Sequence, residues 1–219
     1  MASITIPKPA QAGLIRLASL PDETAQELLK ALEDVSLVVY GGNLLDQLIS
    51  SLPTIQRNEL QEILATLYGL SAAEVPVERS QFIDDLVSAF ARQAKPVSDE
   101  QLNNLRERLT TLLGTDAIRI GGKARSVLFE NEHNLVGARI VSDIRPIFGD
   151  EVQNPPVGAI IVHSLKIEYL SSGKRHEFYV ALDTKDVDSL LKVLERAKAK
   201  TSSLQSLLGT TSVRYVEAE

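Results

Sequence analysis

The sequence predicts an α+β protein, an N-terminal all-α helical bundle followed by a three-stranded antiparallel sheet with one long C-terminal helix. Three observations carry this. Residues before about 115 place their apolar side chains at three- and four-residue spacing between glycine and proline breaks. From Val136 to Leu182 the period falls to two, and after Asp183 it returns to helical over some twenty-five residues.

The helices follow in order. Ser19 reads as the cap of a helix beginning near Pro21, with Asp22 in the third position of a capping box and Ala25, Leu28, Leu29, Leu32 and Val35 on one face. Tyr40-Gly41-Gly42 ends that run. Leu44, Leu45, Leu48, Ile49 and Leu52 form a short amphipathic stretch. Pro53-Thr54 then restarts the chain into Ile55, Leu60, Ile63, Leu64 and Leu67, with Gly69 as the stop. Ser80 opens a helix through Phe82, Ile83, Leu86, Val87 and Phe90. The clearest cap is Ser98, three residues before Gln101, leading into Leu102, Leu105, Leu109 and Leu112 and closed by Gly114.

Residues 116–133 read as a linker, with a turn at Gly121-Gly122-Lys123 and a short helical turn near Ser126 to Phe129. The domains are therefore expected at 1–115 (helical bundle) and 134–219 (strands and long helix).

The strands have a checkable register. Val136, Ala138, Ile140, Ile144 and Phe148 mark a first strand ending at Gly149, and Asn154-Pro155-Pro156 cannot continue a ladder. Val157, Ala159, Ile161, His163, Leu165, Ile167 and Tyr169 share one side of a second strand. Phe178, Val180 and Leu182 do the same in a third. A two-residue turn at Ser172-Gly173 sets Tyr169 opposite His176, Ile167 opposite Phe178 and Leu165 opposite Val180. The same register opposes Glu168 to Glu177, a like-charge contact that Lys166 or Arg175 must answer diagonally. Asp183 or Thr184 caps the last helix, whose apolar positions are Val187, Leu190, Leu191, Leu194, Ala197, Thr201, Leu204 and Leu208, with Gly209 as its stop.

Composition narrows the function. The 219 residues are 44% hydrophobic, enough for two domains, and the formal charge of -6 disfavours broad phosphate-backbone binding. Arg196, Lys198 and Lys200 make only a short basic patch suited to the C-terminal half of a helix. Aromatic residues are 5% with no tryptophan, too sparse for a base-stacking platform, so no nucleic-acid partner is expected. Zero cysteines exclude disulfides and thiolate-bound metal and fit a cytoplasmic setting. No membrane-spanning run is present, and residues 1–12 lack a signal pattern.

No catalytic or metal constellation emerges, and no cofactor is expected. His163 and His176 share a sheet face but stand six residues apart along the ladder, about 20 Å at ~3.3 Å per residue. His133, in Glu130-Asn131-Glu132-His133, matches no two-histidine metal spacing. Gly121-Gly122-Lys123 lacks the spacing of a phosphate loop, and no serine sits in a nucleophile elbow.

The order of a strand from Val136 to Ile147, the lead-in Pro155-Pro156-Val157, the strand from Ala159 to Ile167, a glycine turn, Glu177-Phe178-Tyr179-Val180 and the helix from Val187 to Leu194 resembles the COMM domain. A helical domain ahead of it also fits that family's layout. The tryptophan usual at the start of the first strand is missing, with Gly137-Ala138-Arg139 near that place. The resemblance covers about a third of the chain. It implies intertwined homo- or heterodimers in which the sheet and helix of each chain cover those of the other, acting as scaffolding adaptors without catalytic residues.

The apolar pattern independently leads to the same expectation, because a three-stranded sheet with one helix cannot hide both of its apolar sets. Ile140, Ile160, Val162, Ile167, Phe178, Leu190, Leu191 and Leu194 are the expected association surface, meeting the chain itself or a related subunit, while the helical domain docks other proteins. Two alternatives remain open. One is a ligand-binding or enzymatic pocket between bundle and sheet that uses Glu130, Glu132, His133 or Arg139. The other is an acidic inhibitor or antitoxin-like protein that neutralises a basic partner.

Overall fold

The computed structural model describes residues 5–39, 41–73, 78–94 and 97–217. Helices α1 (Lys8–Ser19), α2 (Asp22–Asp34), α3 (Gly42–Ser51), α4 (Arg57–Ala72), α5 (Arg79–Gln93), α6 (Asp99–Leu112) and α7 (Asp116–Leu128) precede strands β1 (Asn134–Ile147), β2 (Gly158–Ser171) and β3 (Lys174–Leu182), and α8 (Thr184–Leu208) follows them. The fold is α+β, in two compact units: Met1–Leu128 with Tyr215–Glu219, and Phe129–Arg214.

In the helical unit, α4 is central. Leu60, Ile63, Leu64, Leu67 and Tyr68 are all buried in one core with Leu14 and Leu17 of α1, Leu28 and Leu32 of α2, Leu44 and Leu48 of α3, Ile83 and Phe90 of α5, Leu105 and Leu109 of α6, and Ile118 of α7. The spacing of three and four that these residues keep is the reason each helix presents one apolar stripe inward. Backbone near the C-terminal end returns to this unit, where Glu217 forms an isolated parallel bridge with Val38 and accepts from the Val39 amide at 2.8 Å.

Local signals were answered unevenly. Ser98 and Gln101 form the expected reciprocal capping box at the start of α6. Ser19, by contrast, is the last residue of α1, a helix the apolar pattern did not announce, and its hydroxyl donates to the Ile15 carbonyl; Pro21 occupies the cap position of α2. Ser80 lies inside the first turn of α5, behind Glu78. Gly69 does not stop α4, which runs on to Ala72, because an exposed glycine in a helix costs only about 1 kcal/mol and the packing of Leu67 and Tyr68 outweighs it. The break expected at Tyr40-Gly41-Gly42 falls partly outside the described residues at Tyr40; Gly41 is the extended residue that opens α3.

The segment expected as a linker, 116–133, is mostly helix. Gly121 and Gly122 are buried on α7 and do not turn the chain. A Cβ at Gly121 would stand 2.6 Å from Tyr68 Cε1, and one at Gly122 would stand 2.5 Å from Ser71 Oγ, so the glycines let α7 lie against α4 at backbone distance. Gly13 does the same for α1, where a Cβ would strike Thr66 Oγ1 and the Glu62 carbonyl.

The second unit holds an antiparallel sheet in the order β1-β2-β3. Its hairpin has the predicted register, with Ser171 opposite Lys174, Tyr169 opposite His176, Ile167 opposite Phe178 and Leu165 opposite Val180. Ser172 and Gly173 both have positive φ, 51° and 74°, the twist of a two-residue turn that matches right-handed strands. On the other edge Ile140 faces Leu165, Ser142 faces His163 and Ile144 faces Ile161, with an irregularity between Leu135 and Gly137. Asp183 caps α8 through a capping box with Asp186.

Candidate functional site

Alternation and register divide the sheet into two faces. One carries Leu135, Ala138, Ile140, Ser142, Ile144 and Pro146 of β1, then Ala159, Ile161, His163, Leu165, Ile167 and Tyr169 of β2, and finally His176, Phe178, Val180 and Leu182 of β3. Apart from Lys174 beside the turn, no Asp, Glu, Lys or Arg stands on that side of the strands. The face is apolar, yet it is open: Ile144 is 73% exposed and Leu135 70%, with Ile140, Ile161 and Phe178 near half.

The opposite face is divided along its length. Arg139, Lys166, Glu168, Glu177 and Tyr179 fill the end near the hairpin turn, and at the other end Val141, Ile147, Ile160 and Val162 are interleaved with Asp143, opposite Val162, and Arg145, opposite Ile160. The polar end is internally satisfied. Lys166 Nζ lies 2.6 Å from Glu168 and 2.5 Å from Glu177, which also accepts from the Tyr179 hydroxyl. The hydrogen bonds to Glu168 and Glu177 hold the Lys166 ammonium well above its usual range, and the bond from Lys166 holds the Glu177 carboxyl below 4.5. This is the diagonal answer that the opposed glutamates required.

Helix α8 adds a second open surface. None of its 25 residues is buried, and Leu190, Leu191, Val193, Leu194, Leu204 and Leu207 are all exposed. The eight expected surface residues therefore fall in three places: Ile140, Ile167 and Phe178 on the apolar sheet face, Ile160 and Val162 on the other face opposite Arg145 and Asp143, and Leu190, Leu191 and Leu194 on α8. Ile167 and Val162, on the central strand, are half-buried by their neighbours; the other six are exposed.

Two polar or aromatic groupings interrupt the apolar face. Ser142 and His163 meet across β1 and β2, with Ser142 Oγ 2.7 Å from His163 Nδ1, in the middle of the apolar face. Ser142 shares the parity of Ile140 and Ile144, but pairing it with His163 needed the β1–β2 register, which no turn between those strands fixes. The face supplies no carboxylate to orient this imidazole, so the pair is a satisfied polar contact among hydrocarbons. The second feature is an aromatic cluster near the turn. The Tyr169 ring stacks on His176 at 5.5 Å and meets His133 and Phe178 edge-on at 4.7 and 6.0 Å. His133, Leu135, Ile167, Tyr169 and Phe178 line a shallow cavity of about 270 Å³ there.

The remaining candidates are dispersed. Glu132 stands 4.0 Å from His133 Nε2, Glu130 is exposed, and Arg139 lies across from Lys166 on the charged face, away from the His133 side of the sheet. His163 and His176 lie six ladder positions apart on β2 numbering, as the register required. Among the described residues no group of three or more His, Asp or Glu side chains converges in a way that could hold a metal ion. No helix among them is long and apolar enough to cross a membrane.

No protein-family model matches the chain, and no curated protein matches its sequence.

Proposed function

We propose that the protein is a non-enzymatic interaction and scaffolding adaptor that dimerises through residues 134–208, each copy covering the open sheet and helix of the other. The observation that carries this is the exposed apolar area of that unit. Counted at roughly 80 Å² for each half-exposed side chain, its large hydrophobics present on the order of 1,500 Å² over the two sheet faces, the loops and α8 together, above the roughly 800 Å² that each partner contributes to a standard interface.

A second copy is the occupant the surface favours. One unit carries both an uncovered sheet and an uncovered helical stripe, and a two-fold exchange covers both with no further sequence. Their sizes agree: α8, with 25 residues, spans about 37 Å, and the 14-residue strands β1 and β2 span about 46 Å. The resemblance to COMM domains supports the same exchange, with a related subunit in place of an identical one as its variant. The helical unit then serves as the docking surface for other proteins in a cytoplasmic assembly.

Co-expression of two differently tagged copies tests this. Mutual capture in the native chain, reduced at least tenfold by Ile140→Asp together with Leu194→Asp, is the expected result. Failure of the native copies to capture one another would overturn the proposal.

A further inference from the structure

All three histidines of the chain lie on or beside the apolar sheet face. His163 sits at its middle against Ser142, while His176 and His133 flank Tyr169 near the turn. From this placement, and resting on the dimer proposed above, we infer that association is acid-sensitive: the two copies hold together at neutral pH and separate as the three imidazoles take up protons.

The physical reason is the lack of compensating charge. A charged imidazolium removed from water needs a neighbouring anion to offset its desolvation, so a covered apolar face favours the neutral ring. The charged and titratable groups around these rings are few. On β1 the strand residues of this side include none. On β2 there is only Tyr169; Lys166 and Glu168 point to the opposite face. On β3 Lys174 lies two positions from His176 and, being positive, opposes a second charge there. Ahead of β1, Glu132 stands 4.0 Å from His133 Nε2 and partly offsets the cost for that ring alone. After Leu182, opposite His163, the start of α8 carries Asp183, Lys185 and Asp186; the Asp183 carboxylate accepts from the Asp186 amide and the Asp186 carboxylate accepts from the Asp183 amide. His163 is therefore the ring whose protonation most opposes burial.

The sign and size follow from linkage. The separated copies bind protons that the dimer excludes, so the dimer is favoured above the ordinary imidazole range and lost below it. Where each separated copy binds one proton that the dimer excludes, Kd rises by up to about a hundredfold for each unit by which pH falls. Glu177 does not confuse the reading, because its carboxyl is held below 4.5, outside this window.

Sedimentation of the full chain at pH 7.5 and pH 5.5 tests the inference, with circular dichroism to confirm that both samples are folded. A dimer at pH 7.5 whose Kd rises about a hundredfold or more at pH 5.5, with most of the rise removed by His163→Gln, supports it. A dimer with the same Kd at both values would overturn the acid sensitivity alone, and so would an unchanged rise in the variant. A monomer at pH 7.5 would overturn this inference and the dimer together. If the variant does not fold, NMR titration of the native histidines decides: midpoints that fall as protein concentration rises support the linkage, and midpoints independent of concentration overturn it.

Discussion

Glu168 and Glu177 face one another directly across the β2–β3 ladder, with the Lys166 ammonium 2.6 Å from the first and 2.5 Å from the second. Two like charges in register would loosen the hairpin; one lysine on the neighbouring position turns them into a three-member cluster. Lys166→Met should therefore lower the stability of the native chain, and Glu177 should return toward the ordinary carboxylate range. Carboxyl NMR titration of Glu177 in both proteins checks this.

The pH dependence of that cluster has a definite sign. Glu177 is depressed in the folded state, so its contribution is present above about 4.5 and is lost as pH falls through its lower native value. Lys166 is raised, so its contribution is present below 10.5 and is lost only above its own native range. Urea midpoints of the native chain should decline from pH 5 toward pH 3, and the decline should shrink in Lys166→Met.

Arg108 is a buried cation of the helical unit. Its guanidinium donates to the Leu17 carbonyl at 2.6 Å and to Ala18 at the end of α1, and pairs with Asp22 at 2.5 Å. It thus ties the last turn of α1 to the start of α2 from α6. Arg108→Met leaves two buried carbonyls without this donor and should cost about 2–3 kcal/mol. Asp22→Asn should cost under ~1 kcal/mol, because the Asp22 side chain is 82% exposed. Chemical denaturation of the two variants measures the contrast.

Glycines in the two helices should respond in opposite directions. Gly121→Ala drives a methyl into Tyr68 and the Val38 carbonyl and should destabilise by about 1–3 kcal/mol or more. Gly69→Ala meets nothing within 4 Å and should stabilise by about 0.5–1 kcal/mol through helix propensity. Thermal unfolding of both tests whether α7 packs on α4 as described.

The hairpin turn offers two further substitutions, compared by thermal unfolding. Ser172 holds a left-handed backbone at φ 51° that asparagine tolerates better, so Ser172→Asn should raise stability by a few tenths of a kcal/mol. Gly173→Ala, at φ 74°, should cost about 1 kcal/mol.

Residue order disclosed the sheet better than the bundle, for a physical reason. A two-residue turn fixes its strands' pairing, so the whole β2–β3 register, including the glutamate clash and its lysine, followed from Ser172-Gly173. The β1–β2 loop fixes nothing, and the Ser142–His163 pair stayed hidden. In the bundle, serines and glycines carry less information than they suggest. Ser98 and Gly13 sit where tertiary packing agrees with their local preference or needs their small size. Ser19, Ser80 and Gly69 were overruled by neighbours whose burial is worth more than a cap or a propensity. Gly121 and Gly122 look like a turn in isolation, and only the α4 surface explains them. The grouping of the eight expected residues on the two sheet faces and α8 was legible, because alternation and helical spacing show which residues share a face.

Sedimentation equilibrium of the native chain at pH 7.5, over a dilution series through micromolar concentration, decides whether two copies pair. The expected result is a mass of twice the 23.9 kDa chain, with the α8 and sheet signals protected from hydrogen exchange. A folded species of 23.9 kDa at every concentration, with those same amides exchanging freely, would contradict it.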